Sequence, residues 1–133
     1  MNTLVNFELA KLLKEKEFDG ESFQFYEEDG ELLYSDGNVQ FKTPYYVKNI
    51  PHLNYFIAPT IAEVVMWLYE KHNIIVESCW EGTREIDSFD ARIIILGKTI
   101  LSKEYKDFKL NIDTSSPTEA YEAAIEYTLT KLI

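Results

Sequence analysis

The chain has 133 residues, of which 46% are hydrophobic and 14% aromatic, enough for one folded domain and against a disordered chain. Its 23 acidic and 13 basic residues give a net charge of −10, which argues against direct DNA or RNA contact, because such binding depends on cations that neutralise phosphates. Met1–Val5 has neither the basic flank nor the apolar run of a signal peptide, no apolar segment reaches the roughly 18 residues of a membrane span, and the single Cys79 allows no internal disulfide.

These absences lead to the expectation of a single domain over residues 1–133, located in the cytoplasm, with no membrane or nucleic-acid partner. The charge is uneven: residues 1–40 hold ten acids against three bases, residues 41–80 three against three, and residues 81–133 ten against seven. Its plain reading is solubility. A sharper reading is an acidic surface for a basic partner, with imitation of nucleic acid as a special case.

In chain order, the spacing of Val5, Leu9, Leu12 and Leu13 predicts a helix over about Thr3 to Lys16, ended by Asp19-Gly20. Ser22–Glu27 and Glu31–Ser35 read as strands joined across Glu28-Asp29-Gly30 in a hairpin. After the turn at Asp36-Gly37-Asn38, Val39–Lys42 reads as a third short strand. Residues 43–59 read as irregular because Pro44, Pro51 and Pro59 interrupt them. Tyr45, Tyr46, Tyr55 and Phe56 nevertheless suit that segment to packing over a core.

A second helix opens at Thr60, with Glu63 completing a capping box, and closes through Lys71, His72 and Asn73. Asn73–Trp80 and Ala91–Lys98 read as strands joined by the acidic loop Glu81–Asp90. Ile93-Ile94-Ile95-Leu96 is apolar on both faces, which suits a central strand or one buried at an interface. The last helix starts at Ser116-Pro117-Thr118-Glu119, and its stripe is Tyr121, Ala124, Ile125, Thr128, Leu129 and Leu132. The expected class is α+β: an antiparallel or mixed sheet of about 4–5 strands with three helices, in the order helix-strand-strand-helix-strand-strand-helix.

Trp67 is the anomaly. On the second helix the apolar residues, Met66, Tyr69 and His72 included, fill an arc of roughly 200° at about 100° per residue. Trp67 falls on the other side, with Glu63, Glu70 and Lys71. Three explanations compete: coverage by the aromatic segment 43–59, a cation–π pair with Lys71, or an anchor for a partner. Coverage, by the chain itself or by a second subunit, is preferred. The candidate partner-contact residues are Trp67, Glu63, Lys71, Tyr45, Tyr46 and Trp80.

No catalytic constellation emerges. His52, His72 and Cys79 match no zinc spacing, so neither a metal site nor a cofactor is expected. Cys79 lies mid-strand and reads as a small buried hydrophobe. Glu27-Glu28-Asp29 with Glu31 lacks the ligand spacing of a calcium loop. Glu81, Glu85, Asp87 and Asp90, beside Trp80 and Arg84, read as a solvated loop more readily than as a site.

The segments 58-APTIAEVVMWLYEKHN-73, 116-SPTEAYEAAIEYTL-129 and 10-AKLLKEKEF-18 resemble a family of small uncharacterised (hypothetical) proteins of gut anaerobic bacteria, their phages and mobile elements. In those relatives glycine often stands at the places of Glu17 and Asn73, which fits helix-ending positions. The resemblance implies a cytoplasmic accessory protein of phage or mobile-element cargo and brings no catalytic or binding residue with it. Two functions follow as expectations: a non-enzymatic protein-interaction protein, with homodimerisation as one form, or a small enzyme or ligand-binding domain using carboxylates and aromatics near residues 81–90.

Overall fold

The computed structural model describes residues 3–35, 46–82, 88–97, 106–114 and 116–133. The expected α+β class holds: three helices and eight strands lie among the described residues, in three antiparallel sheets where a single sheet of 4–5 strands was expected. By contacts the chain divides into two compact units, Asn2–Glu63 and Val64–Ile133.

The first unit carries α1 (Phe7–Glu15), β1 (Glu21–Ser22), β2 (Gln24–Glu27), β3 (Leu32–Tyr34), β4 (Val47–Lys48) and β5 (Tyr55–Ile57). α1 starts later than its periodicity suggests. Residues before it are used in extended pairing: Leu4 bridges Thr60, Val5 N–H donates to Pro59 O and Ile61 N–H to Thr3 O. Asn6 then caps the helix, its Oδ1 accepting from Leu9 N–H at 2.9 Å. Leu9, Ala10 and Leu13 form the buried face.

At the far end of α1, Phe18 N–H donates to Leu13 O and Glu17 N–H to Lys14 O, the paired bonds of a Schellman motif. Glu17 occupies the left-handed position at φ 61°, and Asn73 does the same after the second helix at φ 55°. These are the two positions at which the resemblance expects glycine.

The β2–β3 hairpin forms as expected, with Gly30 at φ 89° in its turn. Part of the proline-bearing segment is more ordered than its sequence suggests. Between Pro51 and Pro59, Tyr55–Ile57 is free of proline and pairs with β2, while Val47–Lys48 pairs with β1. Lys14 Nζ ties the segment to α1, donating to Tyr55 O at 2.8 Å and to Leu53 O, and it lies 5.0 Å from the Phe56 ring centre. The turn at residues 36–38 and the strand expected at 39–42 lie outside the described residues.

α2 (Ile61–His72) begins in the first unit and runs on into the second. Its capping box is complete: Thr60 N–H donates to Glu63 Oε2 at 2.7 Å and Glu63 N–H to Thr60 Oγ1 at 3.2 Å. The second unit continues with β6 (Ile74–Trp80), β7 (Phe89–Ile95), β8 (Lys106–Thr114) and α3 (Pro117–Tyr127), the last extended by a π-helical turn at Thr128–Leu132. The sheet order is β6-β7-β8, all antiparallel. β8 is an addition to the expected order. Its alternation of Lys106, Phe108, Leu110 and Ile112 with Asp107, Lys109, Asn111 and Asp113 is a period-two signal.

α3 lies across all three strands. It buries Ala120, Ala124, Ile125, Thr128 and Leu129, close to the expected stripe. Each fully buried Ile or Leu contributes about 1.5–3 kcal/mol. Thr128 keeps its hydroxyl satisfied by donating to Ala124 O at 2.7 Å. Ser116 caps α3 through Thr118 N–H at 3.2 Å, so the serine half of the expected box forms one residue earlier than expected.

The backbone at Glu17 yields a direct test. A side chain in the left-handed region costs about 1–2 kcal/mol relative to glycine. Glu17→Gly is therefore expected to stabilise the protein by about 0.5–1 kcal/mol, net of the greater chain entropy of glycine. Urea unfolding should show a higher midpoint with an unchanged slope, and a lower midpoint would refute the strain argument.

Candidate functional site

The register of β6 on β7 decides what the second unit's sheet presents. Ile74 lies opposite Ile95, Val76 opposite Ile93, Ser78 opposite Ala91 and Trp80 opposite Phe89. Leu96 N–H donates to Asn73 O at 2.8 Å and Glu81 N–H to Ser88 O at 2.7 Å. Hydrogen-bonded pairs alternate along an antiparallel ladder, so the odd residues of β6 direct their backbone groups to β7. The even residues, Ile74, Val76, Ser78 and Trp80, direct theirs away from the sheet. β6 is an edge strand, and among the described residues no strand pairs with that side.

Side chains follow the same alternation. Ile74, Val76, Ala91 and Ile93 are buried on one face, the face that receives α3. The opposite face carries a ladder of half-exposed charges. Arg92 bonds Asp107 through Nε at 2.9 Å and through Nη2, and reaches Glu77 at 3.7 Å. Lys109 pairs with Glu81 and, at 3.4 Å, with Asp90. The bond from Arg92 holds the Asp107 carboxyl below its usual range, and the bond to Glu81 raises the Lys109 ammonium. Cys79 stands in this row opposite Asp90, only partly buried.

Of the expected contact residues, Trp80 is 56% exposed at the end of β6 and Tyr46 is 62% exposed, its ring 5.5 Å from that of Phe23. Tyr45 lies outside the described residues. Glu63 and Lys71 are exposed on α2, with Glu63 engaged in the cap. Trp67 is buried, at 7% exposure, and meets His72 edge-on with ring centres 4.7 Å apart. Coverage by the chain is therefore the outcome for Trp67. The arc drawn from hydropathy is corrected accordingly: Met66 and Tyr69, placed inside it, are 53% and 48% exposed. The buried row is Ile61, Val64, Trp67 and Leu68.

The remaining candidates separate. In the 81–90 loop Glu81 and Asp90 are both bound up with Lys109, while Arg84, Glu85 and Asp87 lie outside the described residues. Glu27, Asp29 and Glu31 place one carboxylate oxygen each within 4.8 Å of one another, all exposed. An open cavity of about 480 Å³ lies beside that turn, lined by Phe25, Glu27, Glu28, Asp29, Leu53, Asn54 and Tyr55. His52 is exposed in a turn of the first unit and His72 lies in α2, so neither histidine shares an element with Cys79.

One hydroxyl stands out. Ser78 Oγ is buried and has no hydrogen-bond partner. Its residue lies in the middle of the open edge. Sequence reading had no signal for it, since a serine among Glu77, Cys79 and Trp80 looks like any strand residue. Both its burial and its edge position depend on strand order.

Burial lowers the pKa of His72 from its ordinary 6.5. As pH falls through 6.5, the unfolded chain takes up the proton before the folded one, so stability is full above that value and declines below it. The stability of wild type relative to His72→Gln is expected to fall as the pH is lowered from about 7 to about 5, read by denaturant midpoint and tryptophan fluorescence. A difference that stays constant over this window would contradict the burial of a neutral imidazole. No protein-family model matches the chain, and no curated protein or solved structure matches it either.

Proposed function

We propose that the protein is a non-enzymatic interaction protein, acting in the cytoplasm as an accessory protein of phage or mobile-element origin. The observation that carries the interaction reading is the outward backbone edge of β6, seven residues long and ending in the exposed Trp80. An unpaired row of N–H and C=O groups is a template for another strand. Natural edges are usually blunted by proline, lysine, bulges or shortness. β6 has none of these, and its one charge is Glu77. An exposed tryptophan beside such an edge suits an interface anchor. The phage or mobile-element origin draws on the resemblance of the three helical segments.

The alternative, an enzyme or ligand-binding domain near residues 81–90, loses support from the engagement of Glu81 and Asp90 by Lys109. Those carboxylates balance a lysine on a half-exposed sheet face.

Affinity capture from bacterial lysate with identification by mass spectrometry tests the interaction reading, comparing wild type with Trp80→Lys. Because Trp80 is exposed, the variant should keep the wild-type circular dichroism and melting behaviour. Wild type is expected to retain one or a few protein chains, its own included, that the variant loses. Retention of nothing, or equal retention by both, would count against the reading.

A further inference from the structure

We infer that the occupant of the β6 edge is a second copy of this chain, its β6 running antiparallel about a two-fold axis at Ser78. This inference rests on the interaction reading above and names the partner. Three observations select both the edge and the register.

The first is the contrast between the sheet's two outer strands. β8 carries Lys106, Asp107 and Lys109 within its first four residues. Its odd residues, which face away from β7, include the exposed Asp107 and Lys109. Charged side chains along an edge oppose the docking of another strand. β6 presents only Glu77, and that residue's backbone is turned to β7.

The second is parity. Antiparallel pairing of β6 with itself must match outward-directed residues with each other, so even residues meet even residues. A two-fold axis at Ser78 satisfies this, setting Ser78 against Ser78 of the second copy and Val76 against Trp80 of the second copy. The three pairs spanning Val76 to Trp80 would form about six backbone hydrogen bonds. The β6-β7-β8 sheet of each copy would join the other's into one continuous sheet.

The third is side-chain chemistry. The Ser78 register sets two serines directly opposite, each with a hydroxyl that is buried and unpaired among the described residues of its own chain. A χ1 turn toward the edge would let the two hydroxyls hydrogen-bond across the strands, as cross-strand serine pairs do. It also lays Trp80, more than half exposed in the single chain, beside the edge at Val76. An axis at Glu77 would set like charges directly opposite each other, which is destabilising. An axis at Val76 would leave Ser78 opposite Ile74, with no hydroxyl partner. In the Ser78 register Glu77 faces Cys79 of the second copy in a pair without backbone hydrogen bonds, the closer type.

The full chain is examined by sedimentation velocity from about 1 to about 100 μM. Wild type is expected to dimerise within this range. Trp80→Lys should raise the dissociation constant at least about tenfold. Ser78→Pro, which removes an outward N–H that the sheet does not use, should be monomeric. Circular dichroism confirms that each variant folds, and Trp80→Lys alone suffices if the proline variant does not.

The register is read by mild oxidation. Glu77→Cys should give a disulfide-linked dimer through native Cys79, and the same substitution combined with Cys79→Ser should not. Cross-linking of the double variant would overturn the Ser78 axis in favour of one at Glu77. A wild type that stays monomeric but retains a different protein through Trp80 would overturn the second-copy inference and leave the interaction reading intact. A monomer that retains nothing would overturn both.

Discussion

The pairing of β6 with β7 in a single register governs the second unit. Because strand side chains alternate with period two, setting Ile74 opposite Ile95 sends Ile74, Val76, Ala91 and Ile93 to the face under α3. The same register sends Glu77, Arg92, Asp107 and Lys109 to the other face. It also fixes which backbone groups serve the ladder and which are left at the edge. A slip of β6 by one residue would turn Glu77 toward α3 and expose Ile74 and Val76. The hydrophobic difference makes the register, and with it the edge, strongly specified.

The charges on the outer face complement that register without holding it in place. Arg92 between Glu77 and Asp107, and Lys109 between Glu81 and Asp90, match positive side chains to negative ones across three strands. The pairs of Arg92 and the Lys109–Glu81 pair are partly exposed and contribute little individually, whereas Asp90 is buried at 7% exposure. These charges keep one face of a thin sheet wet and exclude α3-like packing from it.

α2 shows how size competes with hydropathy in orienting a helix. A stripe drawn from apolar character alone takes in Met66 and Tyr69 and leaves Trp67 outside. The structure buries Trp67 with Ile61, Val64 and Leu68 and turns Met66 and Tyr69 outward. Tryptophan removes more surface from water than any residue it displaces, so rotating the helix toward it gains more than shielding methionine and tyrosine would. His72, five residues on, closes against the indole, and its partial burial lowers its pKa. The indole left exposed is that of Trp80, one of the residues named from sequence.

The sequence by itself determined the α+β class, the three helices with the capping residues of α2 and α3, the β2–β3 hairpin, and strands close to β6 and β7. All of these rest on local signals: capping residues, turn chemistry and periodicity within a few residues. Cys79 as an isolated thiol and Asn73 as a helix-ending position were legible for the same reason, whereas Glu17 in that role came from the resemblance. Tertiary structure alone decided that β5 joins β2, that Trp67 is buried, and that β6 is, among the described residues, an outer strand with Ser78 Oγ unpaired on it. Strand order and burial depend on partners distant in the chain, and a residue's own neighbours do not record whether a strand has one companion or two.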